Sequence, residues 1–359
     1  MVAQSVPIDA ALEACGRTQF GIADILRRAQ GHAFGAFGLD PDECPYQVTA
    51  SGPFWRLREY TKHDTGQSLL IVAAPIKRPY IWDLTSTTSA IRYCLGQDLR
   101  VRLLEWLPAS RTTGNNGLTE YTEAIAECVA KISGESAGVK PFLIGHSLGG
   151  TLAAIFGALA PDSIRGLVLL GAPLCFRPTT SRFRDALISL VPSGLGDAEP
   201  CPGSLLSHFS ALASPDTFIW SRLTDAAFSV TDSHAMEIHA RVERWALDEI
   251  SLPGKLVHQL IEWLYRENLF CRGALKIGGT LVGPESMSVP TLAVINTADG
   301  VATLDSVKPF IDAMPTSDAR IIEYPGESGV CLQHLGILIG REAHAQVWPD
   351  IASWIDARR

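Results

Sequence analysis

From Phe54 onward, apolar residues fall into short uninterrupted runs separated by longer stretches in which they recur at helical spacing. SLLIVAAPI (68–76), PFLIG (141–145), GLVLLGAP (166–173) and PTLAVINT (290–297) are runs of the first kind. Such runs are expected for strands buried on both faces of a parallel sheet. LRVRLLEW (99–106) and ARIIEYPG (319–326) are further strand candidates, and WRLREY (55–60) alternates as an edge strand would. Helical patterns lie between them, over 118–132 and 148–159, and a last one runs over 341–356. Strands alternating with helices predict the α/β class with a mainly parallel, doubly wound sheet.

The alternation breaks after Ala172. Residues 174–285 hold a Pro/Ser-rich opening, several Trp and Phe, and helical stretches such as ARVERWALDEI and KLVHQLIEWLYREN. The predicted organisation is an N-terminal helical segment (1–50), an α/β core (51–173 and 286–359) and a mostly helical cap inserted at 174–285. IDAALEACGRTQFGIADILRRAQ reads as one or two amphipathic helices packed on the main domain, with no chemistry of its own.

Composition narrows the function classes. At 359 residues, 47% hydrophobic and 19% charged, the chain has ample material for a buried sheet. A formal charge of -8 argues against a nucleic-acid partner, which needs a basic face. The N-terminus lacks the basic and apolar regions of a secretory signal, and no apolar run approaches the ~18–20 residues of a membrane span. Eight cysteines lie scattered without CxxC or other metal spacing, so reduced thiols in a cytoplasmic protein are expected rather than disulfides, with no zinc and no organic cofactor.

The segment with the clearest chemistry is Gly145-His146-Ser147-Leu148-Gly149, followed by Gly150. It fits G-x-S-x-G, and a strand run ends at its first glycine while a small-residue helix begins after the serine. A serine on so sharp a turn needs glycines beside it to let other backbones pass. The helix beneath supplies positive potential where an oxyanion would form. His146 adjoins the nucleophile and is expected to point away from its hydroxyl.

A serine hydroxyl needs an imidazole to take its proton, and that imidazole needs a carboxylate to hold its tautomer. In the chain order Ser, acid, His, Asp299 lies just past PTLAVINT and His334 lies before the final helix. Asp305, Asp312, Asp318, Glu323 and Glu327 compete for the acid, and His344 for the base. The oxyanion would be met by the amide of Leu148 and by that of Ile76, since Pro75 has no N–H.

PIKRPYIWDLTSTTSAIRYCL (75–95), LRVRLLEWLP, RWALDE, LYRENLFCRGALKIGGTLVGPESMSVPTLAVINTADGVAT and HLGILIGREAHAQVWPDIASWI together resemble the polyhydroxyalkanoate synthases. The likeness covers roughly residues 54–356. It implies an α/β-hydrolase fold, a cap restricting the site, 3-hydroxyacyl thioester substrates, and Ser147, Asp299 and His334 at the catalytic positions. Three departures stand out. Ser147 replaces the family's cysteine, Lys77 stands where an asparagine is usual, and Gly300 where a histidine is usual.

A thiolate exchanges readily with thioesters, whereas a serine ester is commonly resolved by water. The leading expectation is therefore a serine hydrolase of (3-hydroxy)acyl esters or thioesters, small or polymeric. The alternative is a synthase-like acyltransferase passing the group to a hydroxyl or amine, and a third is a non-catalytic granule-binding scaffold. The N-terminal helices and the cap offer contact surfaces for a homodimer.

Overall fold

The computed structural model describes residues 8–60, 66–193 and 199–358, with side chains from residue 18 onward. The first seven residues of the stretch read above for a secretory signal, and the side chain of Cys15, lie outside the described part.

Among the described residues ten strands form: β1 (Gln47–Ser51), β2 (Trp55–Glu59), β3 (Ser68–Val72), β4 (Arg100–Trp106), β5 (Phe142–His146), β6 (Gly166–Leu170), β7 (Leu275–Ile277), β8 (Thr280–Val282), β9 (Thr291–Asn296) and β10 (Ala319–Tyr324). Eight make one sheet in the order β1-β2-β4-β3-β5-β6-β9-β10, and β7-β8 is a separate hairpin. All neighbours from β4 to β10 run parallel, while β1 and β2 are antiparallel. β3, β5 and β6 are buried at every position, as their unbroken apolar runs require.

The helices are α1 (Ile8–Gly35), α2 (Ala90–Gly96), α3 (Leu118–Glu135), α4 (Leu148–Leu159), α5 (Arg182–Leu190), α6 (Gly203–Ala213), α7 (Ser221–Ser229), α8 (Ser233–Ala246), α9 (Gly254–Gln259), α10 (Lys308–Asp312), α11 (Gly336–Ile339) and α12 (Trp348–Asp356). Two cores sandwich the sheet. α3 and α4 pack with Leu70, Val72 and Leu104 on one face, and α2, α11 and α12 pack with Leu69, Ile71 and Leu103 on the other. Alternate residues of one strand thus serve opposite cores. The helices α5–α9 and the β7-β8 hairpin all lie between β6 and β9 in the chain.

Several expectations need correction. WRLREY is not the edge, because β1 pairs antiparallel with β2 and covers it. β1 itself lies in a segment read as helical; its short, mostly polar sequence carries no strand signal, and pairing with β2 makes it a strand. The cysteines are not all reduced thiols: Cys175 and Cys271 form a disulfide across 96 residues of sequence. Even spacing along the chain could not reveal this pair, because the segment between folds back and brings its two ends together. Close by, the amide of Phe176 donates to Asn268 Oδ1 at 2.7 Å. Cys44, Cys94, Cys128, Cys201 and Cys331 are buried and lie outside this bridge.

Candidate active site

Ser147 sits where β5 ends and α4 begins, with φ 54° and ψ -132°. For a non-glycine residue this is an unfavourable backbone conformation, held by the packing around it. The glycines make that packing feasible. A Cβ on Gly149 would meet the Val72 carbonyl oxygen at 2.3 Å, and one on Gly145 would meet Gly150 Cα at 2.6 Å. The Ser147 amide donates to the Leu170 carbonyl at 3.0 Å, tying the turn to β6.

The three residues singled out from the chain order converge. Ser147 Oγ lies 2.8 Å from His334 Nε2, and His334 Nδ1 lies 2.6 Å from Asp299 Oδ2. Asp299 has no proton to give when ionised, so Nδ1 carries the imidazole proton and Nε2 accepts from the serine hydroxyl. Asp299 is buried, and its other oxygen accepts the Val301 amide at 2.8 Å. The His334 turn is fixed by its backbone. Asn296 Nδ2 donates to the Gln333 carbonyl at 2.7 Å, and His146 Nε2 lies 2.7 Å from the His334 carbonyl.

The competing residues are engaged elsewhere. Asp312 pairs with Lys308, Asp318 with Arg358, and Glu327 accepts from Tyr324 Oη and from the amides of Glu342 and Ala343. Asp305 and Glu323 are exposed. His344 Nε2 bonds the Leu338 carbonyl at 2.8 Å, and its ring stacks on Trp348. Burial pushes the His344 imidazole below its ordinary value.

Ser147 and His334 open onto a cavity of about 550 Å3, and Leu148 and Ile76 line it beside them. Leu148 is the first residue of α4, where helix N–H groups have no partner within the helix. The Ile76 carbonyl is taken by the Ile250 amide at 3.2 Å. The rest of the wall is largely apolar and includes Phe176, Phe183, Leu187, Leu205, Leu260 and Tyr265.

Some contributors were not visible in the sequence. Phe20, Ala23 and Arg27 of α1 line the same cavity, although the N-terminal stretch showed no chemistry. Asp24 beside them accepts the amides of Gly203 and Ser204 at the start of α6, which holds α1 in place. Lys77 donates to the Ala246 carbonyl at 2.6 Å and to Glu249 at 3.1 Å, and Glu249 also accepts from Arg27 at 2.9 Å. Burial lowers the Lys77 ammonium to about 8 despite Glu249 beside it. For Glu249, burial alone would raise the carboxyl, but Lys77 and Arg27 outweigh it and hold the group below its usual range. This ion-pair cluster accounts for a lysine at position 77, because the buried Glu249 needs a cation.

On the other side of the site, Asp225 of α7 accepts the amides of Gly329 and Cys331 at 2.7 and 2.8 Å, just before His334. His239, Glu243 and Cys331 hold donor atoms within 4.8 Å of one another. Arg222 already donates to both carboxylate oxygens of Glu243, so a cation occupies that charge.

An eight-stranded, mostly parallel sheet with a serine on the tight turn after β5 defines the class: an α/β hydrolase fold. Residues 107–327 match the family model for the alpha/beta hydrolase fold, and the chain belongs to that family. Among known proteins it is similar to poly(3-hydroxyalkanoate) polymerase subunits PhaC. That of Haloferax mediterranei is 30% identical over 89% of this chain, that of Haloarcula marismortui 27% over 81%, and that of Allochromatium vinosum 23% over 98%. The chain spans 65% and 61% of the length of the first two and 99% of the third.

Solved structures share the fold at low identity. A soluble variant of monoglyceride lipase from Saccharomyces cerevisiae gives a TM-score of 0.56 at 13% identity, covering 89% of this chain and 98% of that one. A thermophilic esterase from Thermogutta terrifontis gives 0.52 at 15%, covering 87% and 97%. Among the described residues no helix is long and apolar enough to cross a membrane.

Proposed function

We propose that this chain is a polyhydroxyalkanoate-synthase-like acyltransferase that takes an acyl group from a 3-hydroxyacyl thioester onto Ser147 and passes it to a hydroxyl acceptor. The observation that carries this reading is the Ser147–His334–Asp299 relay facing an apolar cavity of about 550 Å3. The similarity to polymerase subunits favours transfer over the simple hydrolysis suggested by the serine alone.

In the first half-reaction Ser147 Oγ attacks the thioester carbonyl as its proton passes to His334 Nε2. Asp299 stabilises the resulting imidazolium through Nδ1–H. The oxyanion is met by the Leu148 and Ile76 amides, which gain strength from the dry surroundings. Collapse breaks the C–S bond, His334 returns its proton to the departing thiolate, and an ester remains on Ser147. An acceptor hydroxyl then gives its proton to His334 and attacks that ester. The C–O bond to Ser147 breaks, and His334 reprotonates Oγ.

In this reading residues 174–285 form a cap whose apolar helices hold the acyl chain and keep water away from the serine ester. The second reading, hydrolysis, rests on Ser147 itself, because an oxygen ester yields to water where a thioester would exchange with thiol. Incubation with 3-hydroxybutyryl-CoA distinguishes them by mass spectrometry. Transfer yields thiol together with oligoester, whereas free 3-hydroxybutyrate as the sole acyl product rejects transfer in favour of hydrolysis. Failure of a fluorophosphonate to label Ser147 would remove both.

A further inference from the structure

We propose that His146, the residue before the nucleophile, is a positioning residue that holds the backbone of His334 in register with Ser147. Its ring nitrogen Nε2 lies 2.7 Å from the His334 carbonyl oxygen, and the two imidazole centroids are 4.7 Å apart. A carbonyl only accepts, so Nε2 must carry the proton, and His146 occupies a defined tautomer. The residue is covalently attached to the nucleophile and hydrogen-bonded to the base, which couples the two ends of the proton relay through a rigid strand end. A Cβ on Gly171 would sit 3.9 Å from His146 Nε2 and 3.7 Å from Asp299 Oδ2.

Chemistry favours an imidazole that stays neutral here. During turnover His334 becomes an imidazolium, and a second cation beside it would oppose that step. Burial, reinforced by the neighbouring His334, pushes His146 down to about 3, so it remains an uncharged donor whenever His334 takes the serine proton. A lysine or arginine would reach the same carbonyl but bring charge. An apolar residue would leave the carbonyl without its buried partner.

The inference rests on the serine-relay reading, so its test includes a readout that does not need catalysis. His146→Gln keeps an N–H at the same number of bonds from Cα, whereas His146→Leu fills the space without a donor. The leucine variant is expected to label with fluorophosphonate roughly 10–100-fold more slowly than wild type, the range in which small misplacements of reacting groups fall. KM for the thioester should be unchanged, and the glutamine variant should recover most of the rate.

In 15N-histidine NMR the His334 Nδ1 proton should remain slowly exchanging in wild type and His146→Gln, and be broadened in His146→Leu. Wild-type labelling and an unaltered Nδ1 signal in the leucine variant would overturn the proposal. An equal loss in both variants would also overturn it, since that would mark mere packing. If wild type itself does not label while the NMR contrast holds, the catalytic reading fails and the positioning role stands.

Discussion

Replacing Asp299 by asparagine isolates the carboxylate from everything else it does. Asp299 is almost wholly buried, accepts His334 Nδ1–H at 2.6 Å through Oδ2, and accepts the Val301 amide at 2.8 Å through Oδ1. Asparagine has the same shape and keeps one acceptor oxygen, which can stay on Val301. Its NH2 then faces His334 and donates where the carboxylate accepted. The imidazole must answer by moving its proton to Nε2, which then points a donor at Ser147 instead of an acceptor. In the serine-protease relay that serves as the general template, this tautomer reversal costs about 10⁴ in kcat. About 10⁴ is ~5.4 kcal/mol of transition-state stabilisation.

The expected result for Asp299→Asn is thus a fall in thiol release from 3-hydroxybutyryl-CoA by about 10³–10⁴, with KM little changed. The thermal midpoint should stay near wild type, because the fold keeps its hydrogen bond to Val301. A variant within threefold of wild-type kcat would refute the assigned relay. So would a variant whose lost rate is fully explained by unfolding.

Other consequences follow from single contacts. Gly149→Ala places a methyl 2.3 Å from a backbone oxygen that cannot step aside, so urea unfolding should show a loss of about 3 kcal/mol or more; a loss below 1 kcal/mol would contradict the elbow geometry. Cleaving the Cys175–Cys271 bridge releases a loop of 96 residues, and loop-closure entropy puts its contribution at about 4–5 kcal/mol; melts with and without reductant and non-reducing peptide mapping check this, and identical melts would contradict it. His146 is held at about 3, below its ordinary 6.5, so the unfolded chain binds the extra proton between these values. Its stability contribution is complete above about pH 6.5 and is lost as pH falls toward 3. Acid unfolding of His146→Leu should show a shallower slope across that window, and an unchanged slope would count against a buried neutral imidazole. Finally, an apolar cavity predicts that kcat/KM rises about fourfold per added methylene of the acyl chain until the space is filled, since each buried methylene is worth about 0.8 kcal/mol; a flat series would contradict an acyl-binding wall.

What was legible in the chain divides along physical lines. β3, β5, β6 and β9 are buried on both faces, so their apolar runs could be read directly. That Ser147, Asp299 and His334 come together in space was legible because the elbow has a steric signature and each partner follows a strand at the carboxyl edge of the sheet. β1 was not legible, because an edge strand gains its structure from β2 rather than from its own residues. The wall formed by Phe20 and Ala23 was equally hidden, because it depends on Asp24 meeting the start of α6 far along the chain. For His146 the chain offered only the expectation that it points away from the serine hydroxyl. Its partner, a main-chain carbonyl 188 positions away, has no sequence signature.

Peptide mass spectrometry of a rapidly quenched reaction with 3-hydroxybutyryl-CoA tests the central claim most directly. The account predicts a 3-hydroxybutyryl adduct on the peptide containing Ser147, absent in Ser147→Ala and strongly reduced in His334→Ala. An adduct on any other residue, or thiol release from Ser147→Ala at the wild-type rate, would contradict it.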